Sequence, residues 1–154
     1  MATVYIGIGS NLGDRHIFIE DSLLRLERDV GNIVTRSTVI ETEPWGFDSA
    51  DSFLNMVTKI ETLLSPGGLL ESLLKIESDM GRIRSEPGYR SRVIDLDILF
   101  YDDLIIDSGD LAIPHPLLHR RLFVLQPMSE IAPDLVHPVL NKSISELLCE
   151  LEGC

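Results

Sequence analysis

The chain has 154 residues, 44% of them hydrophobic and 25% charged, a composition that suits one compact globular domain over 1–154 and disfavours disorder. Thirteen basic residues against 25 acidic ones leave a formal net charge of −12. That balance excludes nucleic-acid and anionic-membrane partners held by excess basic charge. An anionic small molecule can still bind, provided a local basic cluster or a metal meets it.

Cys149 and Cys154 are the two cysteines, too late and too few for a disulfide framework or a four-ligand zinc site, which points to a reducing compartment. The N-terminus lacks the basic and then apolar pattern of a signal peptide, and no apolar run approaches the roughly 20 residues of a membrane span. A cytoplasmic location is the expectation.

In chain order, Thr3 to Gly9 alternates with Val4, Ile6 and Ile8 on one face, which predicts a strand. From Asp14 to Val30 the spacing of Ile19, Leu23, Leu26 and Val30 turns helical, with Asn11 and Asp14 offering capping oxygens and Gly31-Asn32 a stop. Ile33 to Thr42 is β-branched and predicts a second strand. A polar loop leads to Phe53–Thr62, where Leu54, Met56 and Ile60 alternate with Phe53, Asn55 and Val57. Ser65-Pro66 starts a helix whose apolar stripe is Leu69, Leu73, Ile76 and Met80, ending at Gly81. After a charged, glycine-bearing loop to Ser91, Arg92 to Tyr101 predicts a strand, with Asp102-Asp103 turning it into a short hairpin partner at Leu104 to Asp107. Short helices are predicted near Leu122 to Glu130 and Ser143 to Leu151. The order βαββαβ is the ferredoxin-like split arrangement, an α+β sandwich with helices packed on an antiparallel sheet.

The segment Ile94-Asp95-Leu96-Asp97-Ile98 carries the most chemistry. On a strand, Asp95 and Asp97 project to one face, about 6.5–7 Å apart, while Ile94, Leu96 and Ile98 face the core. Two carboxylates in an apolar strand need their charge compensated, and Mg²⁺ shared with substrate phosphates does so. A merely solvated sheet face is the alternative. Arg82, Arg84, Arg90 and Arg92 fall within eleven residues, 82–92, just before the aspartates, in a chain with only ten arginines. Guanidinium forks match phosphate oxygens, so the two features together favour a metal–phosphate site over a solvated loop.

His115 and His119 are spaced i, i+4, but Pro116 and the lack of an adjacent glutamate base disfavour zinc. A nucleotide contact by His115 and Arg121 fits better, with surface histidine as the plain alternative. Gly7-Ile8-Gly9-Ser10-Asn11-Leu12-Gly13 lacks the third glycine of a dinucleotide fingerprint and the lysine of a P-loop, and reads as a tight strand-to-helix turn. Trp45 sits between Pro44 and Gly46, placed either to stack on a flat ligand or to pack on the core. Asn55 either reads the edge of a heterocycle or is solvated.

Taken together, these residues closely resemble the 6-hydroxymethyl-7,8-dihydropterin pyrophosphokinases of folate biosynthesis. The resemblance runs from Val4 to about Pro138. It rests on Tyr5–Asp14, Glu41-Thr42-Glu43-Pro44-Trp45-Gly46, Phe53-Leu54-Asn55, Glu77, Gly81-Arg82-Ile83-Arg84, Arg92–Leu99 and Pro114-His115-Pro116 through Phe123-Val124-Leu125-Gln126-Pro127. It implies a ferredoxin-like enzyme, a monomer, that moves pyrophosphate from ATP to the pterin's hydroxymethyl oxygen and releases AMP. By motif position, Asp95 and Asp97 hold two Mg²⁺ ions, and Asp95 also orients the hydroxyl. Arg82 and Arg92 close over the phosphates, Glu77, Arg84, His115 and Arg121 contact ATP, Thr42 and Asn55 bond the pterin edge, and Trp45, Phe53 and Phe123 line its pocket. Tyr89-Arg90-Ser91 stands where many relatives carry Trp-Gly-Pro, Phe53 where many have tyrosine, and Trp45 where a smaller apolar residue is common. On the residues alone, a ligand-sensing module without catalysis and a transferase with another acceptor remain open.

Overall fold

The protein is described here by a computed structural model that covers residues 1–11, 14–42, 53–81 and 94–154. Strand β1 (Ala2–Ser10) runs through the middle of the main sheet, and helix α1 (Arg15–Asp29) follows it. Asp14 caps α1 by accepting from the N–H of Ile17 at 3.3 Å. Gly31 opens strand β2 (Gly31–Arg36) directly after the helix, so it begins a strand rather than only stopping a helix. A Cβ on Gly31 would lie 2.1 Å from the carbonyl oxygen of Glu61, so this crossing admits no side chain.

The strand expected over Ile33 to Thr42 is two. β2 ends at Arg36 and β3 (Ile40–Thr42) resumes on the same neighbour, β4 (Phe53–Thr62). Hydrogen bonds outside the ladder cause the break. Ser37 donates its N–H to Val57 O and accepts Val57 N–H on Oγ, both at 2.9 Å, while Glu130 accepts from the N–H and hydroxyl of Thr38.

Helix α2 (Pro66–Asp79) has Ser65 as its N-cap, accepting from Gly68 N–H, and leads to β5 (Asp95–Tyr101). The sheet order is β2-β4-β1-β5, with β3 also on β4 and every pairing antiparallel, the ferredoxin-like arrangement. The expected hairpin after β5 does not form. Asp102 turns back onto β1, donating its N–H to Thr3 O and accepting Thr3 N–H on Oδ1, both at 2.8 Å. His115 N–H donates to Leu99 O, taking up an acceptor on β5. The next strand, β6 (Ile106–Ser108), therefore pairs with β7 (Leu111–Ile113) instead. A 3₁₀ turn (Leu118–Arg120), α3 (Leu122–Ile131) and α4 (Ile144–Glu152) complete the chain.

Two apolar clusters sandwich the sheet. Ile6, Ile8, Met56, Ile60, Leu96 and Ile98 meet α1 and α2 on one face. Tyr5, Val57, Leu99 and Phe100 meet α3 and α4 on the other. A shift in the β1–β5 register puts Leu99 and Phe100 on the same side. Cys149 and Cys154, read as too late and too few for a disulfide framework, do form a disulfide, with Cα atoms 5.2 Å apart. Gly153, at φ 85°, ends α4 in the left-handed conformation and turns Cys154 back beside Cys149. Among the described residues no helix is long and apolar enough to cross a membrane.

Candidate active site

Register decides which side chains meet. Leu96 and Ile98 are buried in the cluster beneath α1 and α2, so Asp95 and Asp97 project together from the opposite face, both partly exposed. Asp95 pairs with Gly9 of β1, and Gly9 pairs in turn with Asn55 of β4. Cross-strand partners share a face, so Asn55, Gly9 and Asp95 form one row across three strands. Two interstrand spacings separate its ends, about 10 Å.

Asn55 is buried, which rules out the solvated alternative. Its Nδ2 donates to Thr42 Oγ1 at 2.9 Å, which fixes the amide and leaves Oδ1 towards Gly9. A Cβ on Gly9 would lie 3.1 Å from that oxygen and 3.7 Å from Cδ1 of Phe53. Gly9, itself buried, thus forms a floor without a side chain between an amide and a carboxylate. Gly7 and Gly9 lie within β1, as the strand expected over Thr3 to Gly9 has them, so the segment from Gly7 to Ser10 that also reads as part of a turn is strand. Their period-two spacing opposite Ile6 and Ile8 was the signal for a bare strip of sheet.

A second group converges from the segment after β7. His115 is anchored to β5 through its N–H on Leu99 O at 3.0 Å, and its Nδ1 accepts the N–H of Leu117 at 3.1 Å. Burial and the neighbouring Arg121 push the His115 imidazole down to about 4, with Asp95 acting in the opposite sense. His115 is therefore neutral near pH 7, and with Nδ1 accepting, its Nε2 carries the proton. The Arg121 guanidinium stands 5.5 Å from the centroid of Phe123, a cation–π contact that joins a predicted ATP contact to a predicted pterin cover. Glu77 is buried on α2 and accepts the N–H of Leu96, between the two aspartates, at 2.8 Å.

Thr42, Phe53 and Asn55 thus lie at one end of the face and Asp95, Asp97, His115 and Arg121 at the other. Arg82, Arg84, Arg90, Arg92 and Trp45 lie outside the described residues, as do Leu12 and Gly13 of the glycine-rich segment. Among the described residues, no three His, Cys, Asp or Glu side chains converge as a metal-binding group. Two carboxylates on one partly exposed face instead suit a cation that keeps waters and takes phosphate oxygens, as Mg²⁺ does.

Residues 5–133 match the family model of 7,8-dihydro-6-hydroxymethylpterin-pyrophosphokinase. The 2-amino-4-hydroxy-6-hydroxymethyldihydropteridine pyrophosphokinase of Aquifex aeolicus is 42% identical over 95% of this chain and 90% of its own. That of Methylorubrum extorquens is 40% identical over 99% and 95%. A solved HPPK-DHPS in complex with substrates superposes with a TM-score of 0.80 over 97% of this chain at 15% identity, which shows the shared fold. This chain spans 43% of that longer one. A ferredoxin-like sheet with an amide and a carboxylate pair across a glycine floor, matched along most of its length to these proteins, belongs to the 7,8-dihydro-6-hydroxymethylpterin-pyrophosphokinase family, enzymes that transfer pyrophosphate to that pterin.

Proposed function

We propose that this chain uses ATP and Mg²⁺ to pyrophosphorylate the hydroxymethyl group of 6-hydroxymethyl-7,8-dihydropterin, releasing AMP, in folate biosynthesis. The row Asn55–Gly9–Asp95 carries this reading. A flat two-ring heterocycle lies across the bare backbone of Gly9, with its amide-like edge on Asn55 Oδ1 and its hydroxymethyl arm directed at Asp95. Thr42 holds the Asn55 amide in the orientation that presents the acceptor. Phe53, Phe123 and Trp45 line the ring's pocket.

Asp95 and Asp97 hold two Mg²⁺ ions against the triphosphate, which neutralises charge on the transferring group. Asp95 also orients the attacking hydroxyl. The hydroxymethyl oxygen attacks the β-phosphorus, the bond from that phosphorus to the α-phosphate oxygen breaks, and AMP leaves. His115, a neutral donor, and Arg121 hold the nucleotide together with Arg84, while Arg82 and Arg92 complete the positive cage. Such transfer needs positioning and charge neutralisation, so no side-chain nucleophile takes part.

The deciding experiment incubates the protein with ATP, excess Mg²⁺ and the reduced hydroxymethylpterin, and separates the nucleotides. AMP is expected in proportion to pterin consumed, and chelating the metal stops its release. ADP in place of AMP, or AMP formed without pterin, would overturn the proposal.

A further inference from the structure

A carboxylate on the buried stripe of a helix is costly unless hydrogen bonds meet it. Glu77 is only 2% exposed, on the same face of α2 as Leu69, Leu73, Ile76 and Met80. Packing alone calls for a fifth apolar residue there. Instead, Oε2 of Glu77 accepts the N–H of Leu96 at 2.8 Å. Among the described residues β5 has a single neighbour in the sheet, β1, and the Leu96 N–H is met by Glu77 rather than by a second strand. Glu77 thus stands in for a neighbouring strand at Leu96, the one residue between Asp95 and Asp97. The planes on either side of Leu96 set the Cα–Cβ directions of both aspartates, so an unanchored peptide would swing the two carboxylates together.

We infer that Glu77 is a positioning residue for the carboxylate pair: it clamps the Leu96 amide and so holds Asp95 and Asp97 in the spacing that receives the cation. This differs from the ATP contact that the family resemblance implies for Glu77, and it rests on Asp95 and Asp97 being the metal ligands. The clamp acts on the protein before any substrate arrives.

The test uses the full chain and the variants Glu77→Leu, Glu77→Gln and Asp97→Ala. It reads the Leu96 amide by NMR and Mn²⁺ affinity, with a non-hydrolysable ATP analogue, by electron paramagnetic resonance. In Glu77→Leu, the Leu96 amide should lose its exchange protection and Mn²⁺ affinity should fall about tenfold, the scale of losing a group that orients a metal ligand. The half-saturating Mg²⁺ for turnover should rise in parallel, while KM for the pterin holds. Glu77→Gln keeps an acceptor of weaker basicity, so its Leu96 amide proton should shift upfield and Mn²⁺ affinity should fall by less than in Glu77→Leu. Unchanged Mn²⁺ affinity in a folded Glu77→Leu would overturn the inference. Should that variant not fold, an unmoved Leu96 resonance in Glu77→Gln would do so. Wild-type Mn²⁺ binding that survives Asp97→Ala would instead remove the metal reading beneath it, a distinct result.

Discussion

Gly9 lies where a side chain would press on the Asn55 amide, 3.1 Å from its oxygen, on the strip that separates the amide from Asp95. Gly9→Ala should therefore raise KM for the pterin about tenfold, since small misplacements of a bound ring are costly, with KM for ATP little changed. Steady-state kinetics with each substrate varied will show this, and equal changes in both constants would exclude the floor role. Asp97→Ala removes half of the carboxylate pair without opening the core, because its side chain projects away from the cluster under α1 and α2. Turnover should be lost while circular dichroism stays native, and measurable activity at saturating Mg²⁺ would take Asp97 out of the metal role. The aspartates were legible in the sequence because strand alternation alone puts them on one face. The Gly9 floor was not, because alternation puts Gly9 on a strand but does not say that Asn55 and Asp95 flank it on the neighbouring strands.

At the scale of elements, local signals predicted both long helices well. Ser65 before Pro66 marks the start of α2, and Ser65 does accept the N–H of Gly68. Ser65→Ala should cost about 1 kcal/mol, the usual value of an N-cap, and lower Tm by about 2–4 °C in a chain of this size. A scan that shows no shift would mean that the cap contributes nothing. Gly31→Ala faces a backbone oxygen that cannot move aside, and a loss of about 3 kcal/mol, near the top of the range for overpacking, should appear in urea unfolding. Strand boundaries were less legible. The break between β2 and β3 depends on Ser37 and on Glu130, the latter 92 residues distant from Thr38, and the hairpin expected after Tyr101 gave way to contacts with Thr3 and His115. Long-range hydrogen bonds override local strand pattern in both places.

For the whole molecule, the two clusters on either face of the sheet make stability depend on groups far from the site. His137 is buried edge-on to Phe100, with ring centroids 5.7 Å apart, and its Nδ1 accepts the N–H groups of Val139 and Leu140. Burial, with His119 nearby, holds its imidazole below the ordinary value, and His115 lies lower still, at about 4. In the unfolded chain both bind a proton near pH 6.5, which the folded chain resists. The unfolded state thus gains protons first as pH falls, so stability is full above about pH 6.5 and declines below it. Urea midpoints should be lower at pH 5 than at pH 7.5, with a smaller difference in His137→Gln. An equal difference in that variant would remove His137 from the account.

By itself, the sequence determined the ferredoxin-like order, the helix starts and the shared face of Asp95 and Asp97, because caps, apolar periods and alternation act between residues a few positions apart. Tertiary structure decided that β5 ends the sheet of the described residues with Glu77 against its backbone, that Gly9 lies between Asn55 and Asp95, and that His115 is anchored on Leu99. These depend on which strands become neighbours, and neighbour choice is set by burial summed over the whole chain, which no local stretch of residues records.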